Sequence, residues 1–326
     1  MLQDCKIARF CTFLCEKQHE LLIFGKNWTT VTDVPRKISN FAPALSNTSV
    51  KIQQVLNALE QFAPLPLQES WDNAGLQIGL TETEVSGALL CLDVTEKVID
   101  EAIARGCNLV VSHHPLLFRG LKQVSDANDV QRTVRKAIKN DICVISMHTN
   151  MDNAKGGVNY KIAEKLGAVP AGEPQAPHTA LSTNTALSTN TVLSGSPAEK
   201  IPLVLAELPD AMDSRTFIAL VKERFGVKCA HCNELIHRSI RKVAICGGAG
   251  DFMLDEAIAK GADAFITGEM HYHVFFGHEQ EIQICVIGHY ESEQFTSEIF
   301  QEIIQKECPG VRCFIAETMT NPICYY

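Results

Sequence analysis

The 326-residue sequence has no excess of positive charge: 29 Lys and Arg stand against 38 Asp and Glu, for a net charge of −9. An acidic chain offers no broad basic field to hold nucleic acid or an anionic membrane surface, so binding of either is not expected. An anionic substrate would need a local positive centre, such as a metal. Long apolar runs are also missing, and nothing reaches the ~18 residues of a membrane span. At the N-terminus Arg9 interrupts the first apolar stretch, leaving Phe10 to Cys15 before Glu16, too short for a signal-peptide core. The chain therefore reads as cytoplasmic. No G-x-S-x-G occurs, which leaves a serine hydrolase unsupported. Residues 174–198 contain no Asp, Glu, Lys or Arg, and carry Thr-Ala-Leu-Ser-Thr-Asn twice in tandem at 179–190. That composition reads as a flexible linker.

Cysteine, by contrast, is plentiful at 13 residues. Most (Cys91, Cys107, Cys143, Cys246, Cys285, Cys313) sit singly within apolar runs, as reduced buried thiols do, and do not suggest a disulfide framework. Apolar residues make up 46% and charged residues 21%, the balance of a globular chain of about two domains.

From Val50 the apolar residues Ile52, Val55, Leu56 and Leu59 share a helical face, which Pro64 and Pro66 end. A buried strand follows at 88–92. Thr95 then caps a helix carrying Val98, Ile99, Ala102 and Ile103, closed by Gly106. The strand Leu109 to Ser112 ends in His113-His114-Pro115. A helix over Val130, Val134, Ala137 and Ile138 leads to the strand Ile142 to Met147, which ends in His148. Strands alternating with helices predict crossover units and a mainly parallel sheet, an α/β fold. The same grammar returns after residue 240, with strands at 242–246, 262–267 and 282–287 and helices at 252–260 and 292–305. The heptad at 100–106 (Asp-Glu-Ala-Ile-Ala-Arg-Gly) reappears at 255–261 (Asp-Glu-Ala-Ile-Ala-Lys-Gly). This pattern predicts two related halves and sets His114 opposite Glu269. The organisation expected is an extension over 1–48, a first half over 49–170, the linker over 171–199 and a second half over 200–326.

Three strand ends carry residues suited to chemistry: His113 with His114, His148 with Asp152, and His289 with Glu293. Ligands gather outside the carboxyl ends of parallel strands, so the three pairs can converge. His289 and Glu293, four apart, share one helical face. Imidazole plus carboxylate suits Zn, Fe, Mn or Co and is too rich in nitrogen for Mg or Ca. Adjacent histidines on an extended backbone point different ways, so His113 and His114 suit two metals better than one. Each pair alone has an ordinary explanation: an incidental dipeptide, a turn at Asp152-Asn153 before Gly156-Gly157, a satisfied core histidine. Other candidates are weaker. Cys229 and Cys232 have C-x-x-C spacing near His237, but lack a fourth zinc ligand at standard distance. Gly247-Gly248-Ala249-Gly250 matches no phosphate-loop pattern and reads as a tight turn. His271 and His273 read as polar surface or as support for the metal site.

Taken in order, Trp71-Asp72-Asn73-Ala74-Gly75-Leu76, His113-His114-Pro115, His148-Thr149-Asn150-Met151-Asp152, Gly156-Gly157-Val158-Asn159, Thr267-Gly268-Glu269 and Gly288-His289-Tyr290-Glu291-Ser292-Glu293 resemble the NIF-three-like family. Its bacterial members carry the name GTP cyclohydrolase 1 type 2 homolog. The resemblance covers about residues 50–326. It implies a two-domain α/β protein forming a toroidal homohexamer, with two divalent cations per subunit held by His113, His114, Asp152, His289 and a bridging Glu293. His148 and Glu269 match family positions near the site and take supporting or acid–base roles. Residues 1–48 have no counterpart, and longer relatives carry an inserted domain where this chain has only its linker. The implied activity is a metal-dependent hydrolase acting on a nucleotide or phosphoester. By the family's name it attacks the imidazole ring of GTP, releasing formate and giving dihydroneopterin triphosphate, with Lys155 and Arg119 as phosphate contacts. Two other readings stay open: a phosphoesterase using the same metals, and a non-catalytic metal-binding hexameric scaffold or regulatory protein.

Overall fold

The computed structural model describes residues 49–172 and 199–326; the N-terminal extension and the tandem hexapeptide lie outside them. Two sheets with helices against them form a mixed α/β fold, as the alternating pattern predicts. The first sheet is built on three strands, β2 (Ala88–Cys91), β3 (Leu109–Ser112) and β4 (Cys143–Ser146), paired parallel in the order β4-β3-β2. All of their residues are buried, which is why they read as unbroken apolar runs and not as alternations. The second sheet repeats the plan with β8 (Ile240–Cys246), β9 (Ala264–Thr267) and β10 (Gln283–Val286), again parallel neighbours.

Helix α1 spans Ile52–Phe62, α2 spans Glu96–Ala104 and α3 spans Asp129–Lys139. The Thr95 hydroxyl accepts from the Val98 amide at 3.3 Å, capping α2 as its sequence predicts. Thr95→Ala is expected to cost about 1 kcal/mol, read as a lower midpoint in urea with an unchanged slope. The heptad repeat is a repeat of local geometry as well. Gly106 and Gly261 both adopt left-handed backbone, at φ +67° and +68°. Just beyond them the amides of Cys107 and Ala262 bond back to the carbonyls of Ala102 and Ala257. A side chain at either glycine would be strained, so the same stop recurs in both halves.

Several elements carry no clear period in the sequence. Strand β1 (Gly75–Ile78) runs antiparallel beside β4. The long β6 (Val204–Met212) runs antiparallel to β8 and pairs on its other side with β5 (Val169–Pro170). The two-residue β7 (His231–Cys232) closes the far edge, antiparallel to β10. Strand β11 (Cys313–Ile315) returns from the C-terminal region to the first sheet, parallel to β2. The two sheets thus exchange strands: β5 lies in the second and β11 in the first. One apolar cluster packs Leu90, Val111 and Ile145 of the first sheet with Val243, Ile245 and Ile266 of the second, along with Phe217 and Phe300.

After β4 the chain makes a short helix α4 (Thr149–Asp152) and then α5 (Val158–Leu166); α6 covers Ser214–Phe225 and α7 Leu254–Ala259. The helix expected over 292–305 is divided into α8 (His289–Glu293) and α9 (Thr296–Glu307). At the break the Thr296 hydroxyl donates to the Glu293 carbonyl at 2.7 Å. The division has a structural logic. Helix α9 turns Ile299, Phe300, Ile303 and Ile304 into the core, while α8 is left free to aim His289 and Glu293 elsewhere. Among the described residues no helix is long and apolar enough to cross a membrane.

Candidate metal centre

The carboxyl ends of β3 and β4 and the start of α8 meet at one place. His113 and His114 follow β3 directly, and their rings lie 5.0 Å apart between centroids, tilted by 47°. His113 is wholly buried. Its Nδ1 lies 2.9 Å from the Met147 carbonyl, which only accepts, so Nδ1 carries the proton and Nε2 presents a lone pair. That Nε2 is buried without a hydrogen-bond partner, and it faces Asp152 Oδ1 at 3.6 Å and Glu293 Oε1 at 3.7 Å. A buried orphan nitrogen is costly unless something fills the gap. A lone pair aimed at two carboxylates fits a cation.

His114 is held from the other side. Asp93 Oδ1 takes its Nδ1 at 2.7 Å, and Nε2 lies 3.0 Å from Glu293 Oε2. His289 repeats the arrangement, with Glu269 Oε1 3.1 Å from Nδ1 and Glu293 Oε2 3.1 Å from Nε2. A carboxylate on one imidazole nitrogen fixes the ring and raises the basicity of the other, which is how metal-bound histidines are supported. The ligand atoms of His113, Asp152 and Glu293 lie close enough together to hold an ion, as do those of His114, His289 and Glu293, and of His113, His114 and His148. Glu293 belongs to the first two groups.

The electrostatics follow from crowding. Burial acts to raise the Glu293 carboxyl, yet His114 and His289, both bonded to it, hold it well below its ordinary value. Burial also drives Asp152 upward, to about 7, with Glu293 adding to the rise and the charged His114 and His289 opposing it. His114 is pushed to about 10: burial opposes the charge, but Asp93 and Glu293 outweigh it. His289 rises to about 9 by the same contest, with Glu293 as its main partner. Metal uptake at such imidazoles must therefore release protons.

Backbone clears the space. Gly248, in the turn after β8, has φ +58°, and a Cβ there would lie 2.3 Å from Glu293 Oε1 and 3.5 Å from His289 Nε2. The glycine turn after β8 thus makes room for the Glu293 carboxylate, a role its sequence does not announce. His148 stands beside the other imidazoles with its Nδ1 2.7 Å from Asp72 Oδ1. The Asp72 carboxyl also takes the amide of Thr149 at 3.0 Å. Burial raises this carboxyl, but the His148 and Thr149 bonds prevail and lower it to about 2. Trp71 is 59% exposed at the rim, its ring 5.8 Å from Phe118 and 6.1 Å from His148.

Asp93 carries no motif and escapes a sequence reading. The available signal is its place: a carboxylate two residues past β2, level with the histidines that end β3 and β4. Its other oxygen is tied by the Thr320 hydroxyl at 2.7 Å, so the C-terminal segment buttresses the site. Asp93→Asn is expected to weaken metal binding about 10–100-fold, measured by competition with a chromophoric chelator.

The remaining sequence candidates stand outside these ligand groups, and two of them, Cys229 and His271, line a cleft with Glu269 and His289. Arg119 and Lys155 are exposed. His271 is 88% exposed and pairs with Asp251. Cys229, Cys232, His237 and His273 belong to none of the ligand groups found among the described residues.

Known proteins agree with this architecture. The profile of the family described as Duf34/NIF3 (NGG1p interacting factor 3) matches residues 50–322. A Clostridium perfringens protein named GTP cyclohydrolase 1 type 2 homolog is 34% identical over 247 residues, 75% of this chain and 87% of its own. A Bacillus subtilis protein of the same name is 27% identical, and the match covers 85% of this chain and 99% of its own. That alignment runs over 374 residues, more than this chain contains, as an insertion in the relative requires. Among solved structures, Staphylococcus aureus protein SA1388 superposes with a TM-score of 0.72 at 25% identity, covering 85% of this chain and 99% of its own. A Bacillus cereus protein related to NIF3 shares the fold with a TM-score of 0.71 at 24% identity, covering 86% of this chain and all of its own. With the profile spanning both sheets and the whole histidine–carboxylate constellation, the chain belongs to the Duf34/NIF3 family.

Proposed function

We propose that this chain is a metal-dependent hydrolase holding two divalent cations, drawn from Zn, Fe, Mn or Co. One observation carries the reading: Glu293 turns Oε1 toward His113 and Oε2 toward His114 and His289. One carboxylate addressing two sets of nitrogens is the pattern of a bridging ligand. His113 and Asp152 would hold one ion, and His114 and His289 the other. Ions bound there supply Lewis acidity and bring the pKa of water toward ~7.

The chain's own residues do the rest. Asp93 and Glu269 hold the His114 and His289 rings in place through Nδ1. His148, kept in position by Asp72, stands beside the histidines without belonging to either Glu293 group, and is placed to carry a proton to or from a substrate. Trp71 and Phe118 form an exposed aromatic rim on that side, which suits a heteroaromatic base by stacking. That rim, with the names of the relatives, favours a nucleotide as substrate. Arg119 and Lys155 are the cations proposed to meet its phosphates.

The test is metal analysis of anaerobically purified protein joined to formate release from GTP and a panel of phosphoesters. Two metals per chain with turnover, abolished in His114→Ala, support the hydrolase. The family description names an interacting factor, which supports a second reading as a non-catalytic ring-forming scaffold, a homohexamer by resemblance. Two metals with no turnover on any substrate, and loss of assembly in His114→Ala, would favour that reading instead.

A further inference from the structure

The second sheet ends in an edge that the metal centre does not use. Strand β7 sets Cys232 directly opposite Cys285 of β10. Directly opposed residues in an antiparallel pair have Cα atoms about 4.5–5.5 Å apart, inside the roughly 4.4–6.8 Å that a disulfide spans. The two residues share one register position of the pair, so their side chains lie on the same face of the sheet. Their surroundings differ. Cys285 is wholly buried, whereas Cys232 is partly exposed and lines a cleft of about 710 Å³ with Asn233, Tyr272 and Phe276. Cys232, on the edge strand, is the more accessible of the pair, and Cys285 lies in the core beside it.

The charge states are divided the same way. The neighbouring Cys285 lowers the Cys232 thiol; burial opposes this, and the Lys222 charge assists it. The neighbouring Cys232, together with burial, holds Cys285 well above its ordinary value. Cys232 is the nucleophile, since the thiolate is the reactive form, and Cys285 is its proton-bearing neighbour.

We propose that Cys232 and Cys285 are a redox-active dithiol that hydrogen peroxide closes to a cross-strand disulfide. The Cys232 thiolate attacks the peroxide; an S–O bond forms, the O–O bond breaks, and hydroxide leaves to become water, giving a sulfenic acid. The Cys285 sulfur then attacks the Cys232 sulfur, the S–O bond breaks, and the thiol proton leaves with the oxygen as a second water. Two thiols are oxidised and one peroxide is reduced to two waters. The bridge ties the two-residue edge strand to β10, whose end leads through Ile287 and Gly288 into His289.

The full-length protein is treated with hydrogen peroxide, blocked with N-ethylmaleimide under denaturing conditions, and mapped without reduction by mass spectrometry. The expected product is a peptide pair joining Cys232 to Cys285, reversed by dithiothreitol. Cys285→Ser is expected to stop at a sulfenic acid on Cys232 that dimedone traps, and Cys232→Ser to leave Cys285 reduced. The proposal is overturned if both residues of the wild type emerge alkylated, or if Cys232 is found bridged to Cys229. Should Cys285→Ser not fold, the wild-type map decides alone.

Discussion

Glu293→Gln is expected to lower bound metal from the two ions proposed per chain to one or none, with the affinity loss exceeding the ~10–100-fold of an outer partner such as Asp93. The amide keeps the shape of the side chain but offers one oxygen where the carboxylate offers two. It therefore cannot serve His113 on one side and the His114–His289 pair on the other. The variant also removes the counter-charge from a buried cluster. Breaking a buried pair by removing one partner typically costs about 3 kcal/mol or more, and His114 keeps Asp93, so roughly 3 kcal/mol is expected in the metal-free protein. The sign of the pH dependence follows from the carboxyl's lowered pKa. Its contribution is present above the ordinary value of 4.5 and is lost as pH falls through the depressed one. Chemical unfolding of wild type and variant should therefore differ at neutral pH and converge in strong acid. Elemental analysis reads the metal arm. Full retention of two ions in Glu293→Gln would falsify the bridging role.

The second large effect is expected at a residue that ligates nothing. Gly248→Ala forces an L side chain into left-handed backbone, a cost of about 1–2 kcal/mol. It also pushes a methyl group against Glu293 Oε1. The carboxylate must move, and Glu293 is only 4% exposed, so it has little room to do so. A drop of roughly 2–3 kcal/mol in stability together with loss of metal is expected. A remote strained glycine would show the first effect without the second. Wild-type metal content in a destabilised Gly248→Ala would mean that this turn serves folding only.

The two effects differ in what foretells them. Glu293 is visible in the sequence because its spacing from His289 is helical and the pair follows a strand. Gly248 lies in a glycine-rich turn that the sequence explains well enough as a tight turn, and its closeness to Glu293 arises only when β8 and α8 are brought together. Asp93 is hidden for the same reason. A carboxylate becomes the support of an imidazole 21 residues away only when β2 and β3 lie side by side.

The fold divides along a similar line. Fully buried parallel strands announce themselves as short apolar runs, and the capped helices between them by period and by the glycine that stops them. The flanking strands do not. β6 is buried on one face only over part of its length, β7 and β5 have two residues each, and β11 has no wholly buried residue. Such segments owe their conformation to a partner edge, and the partner is distant in the chain.

By itself, then, the order of residues determined the alternation of apolar strands with capped helices, the doubling of that unit, and the placing of histidines and carboxylates at strand ends. These depend on local steric preference and on burial, both of which leave a period or a stop within a few residues. Tertiary structure alone decided that β11 returns to the first sheet, that α8 breaks from α9, and that one carboxylate faces three imidazoles. Apart from the local His289–Glu293 pair, those outcomes rest on contacts between segments more than a hundred residues apart, such as β11 with β2 and Glu293 with His114, where only the packed core fixes distance and direction.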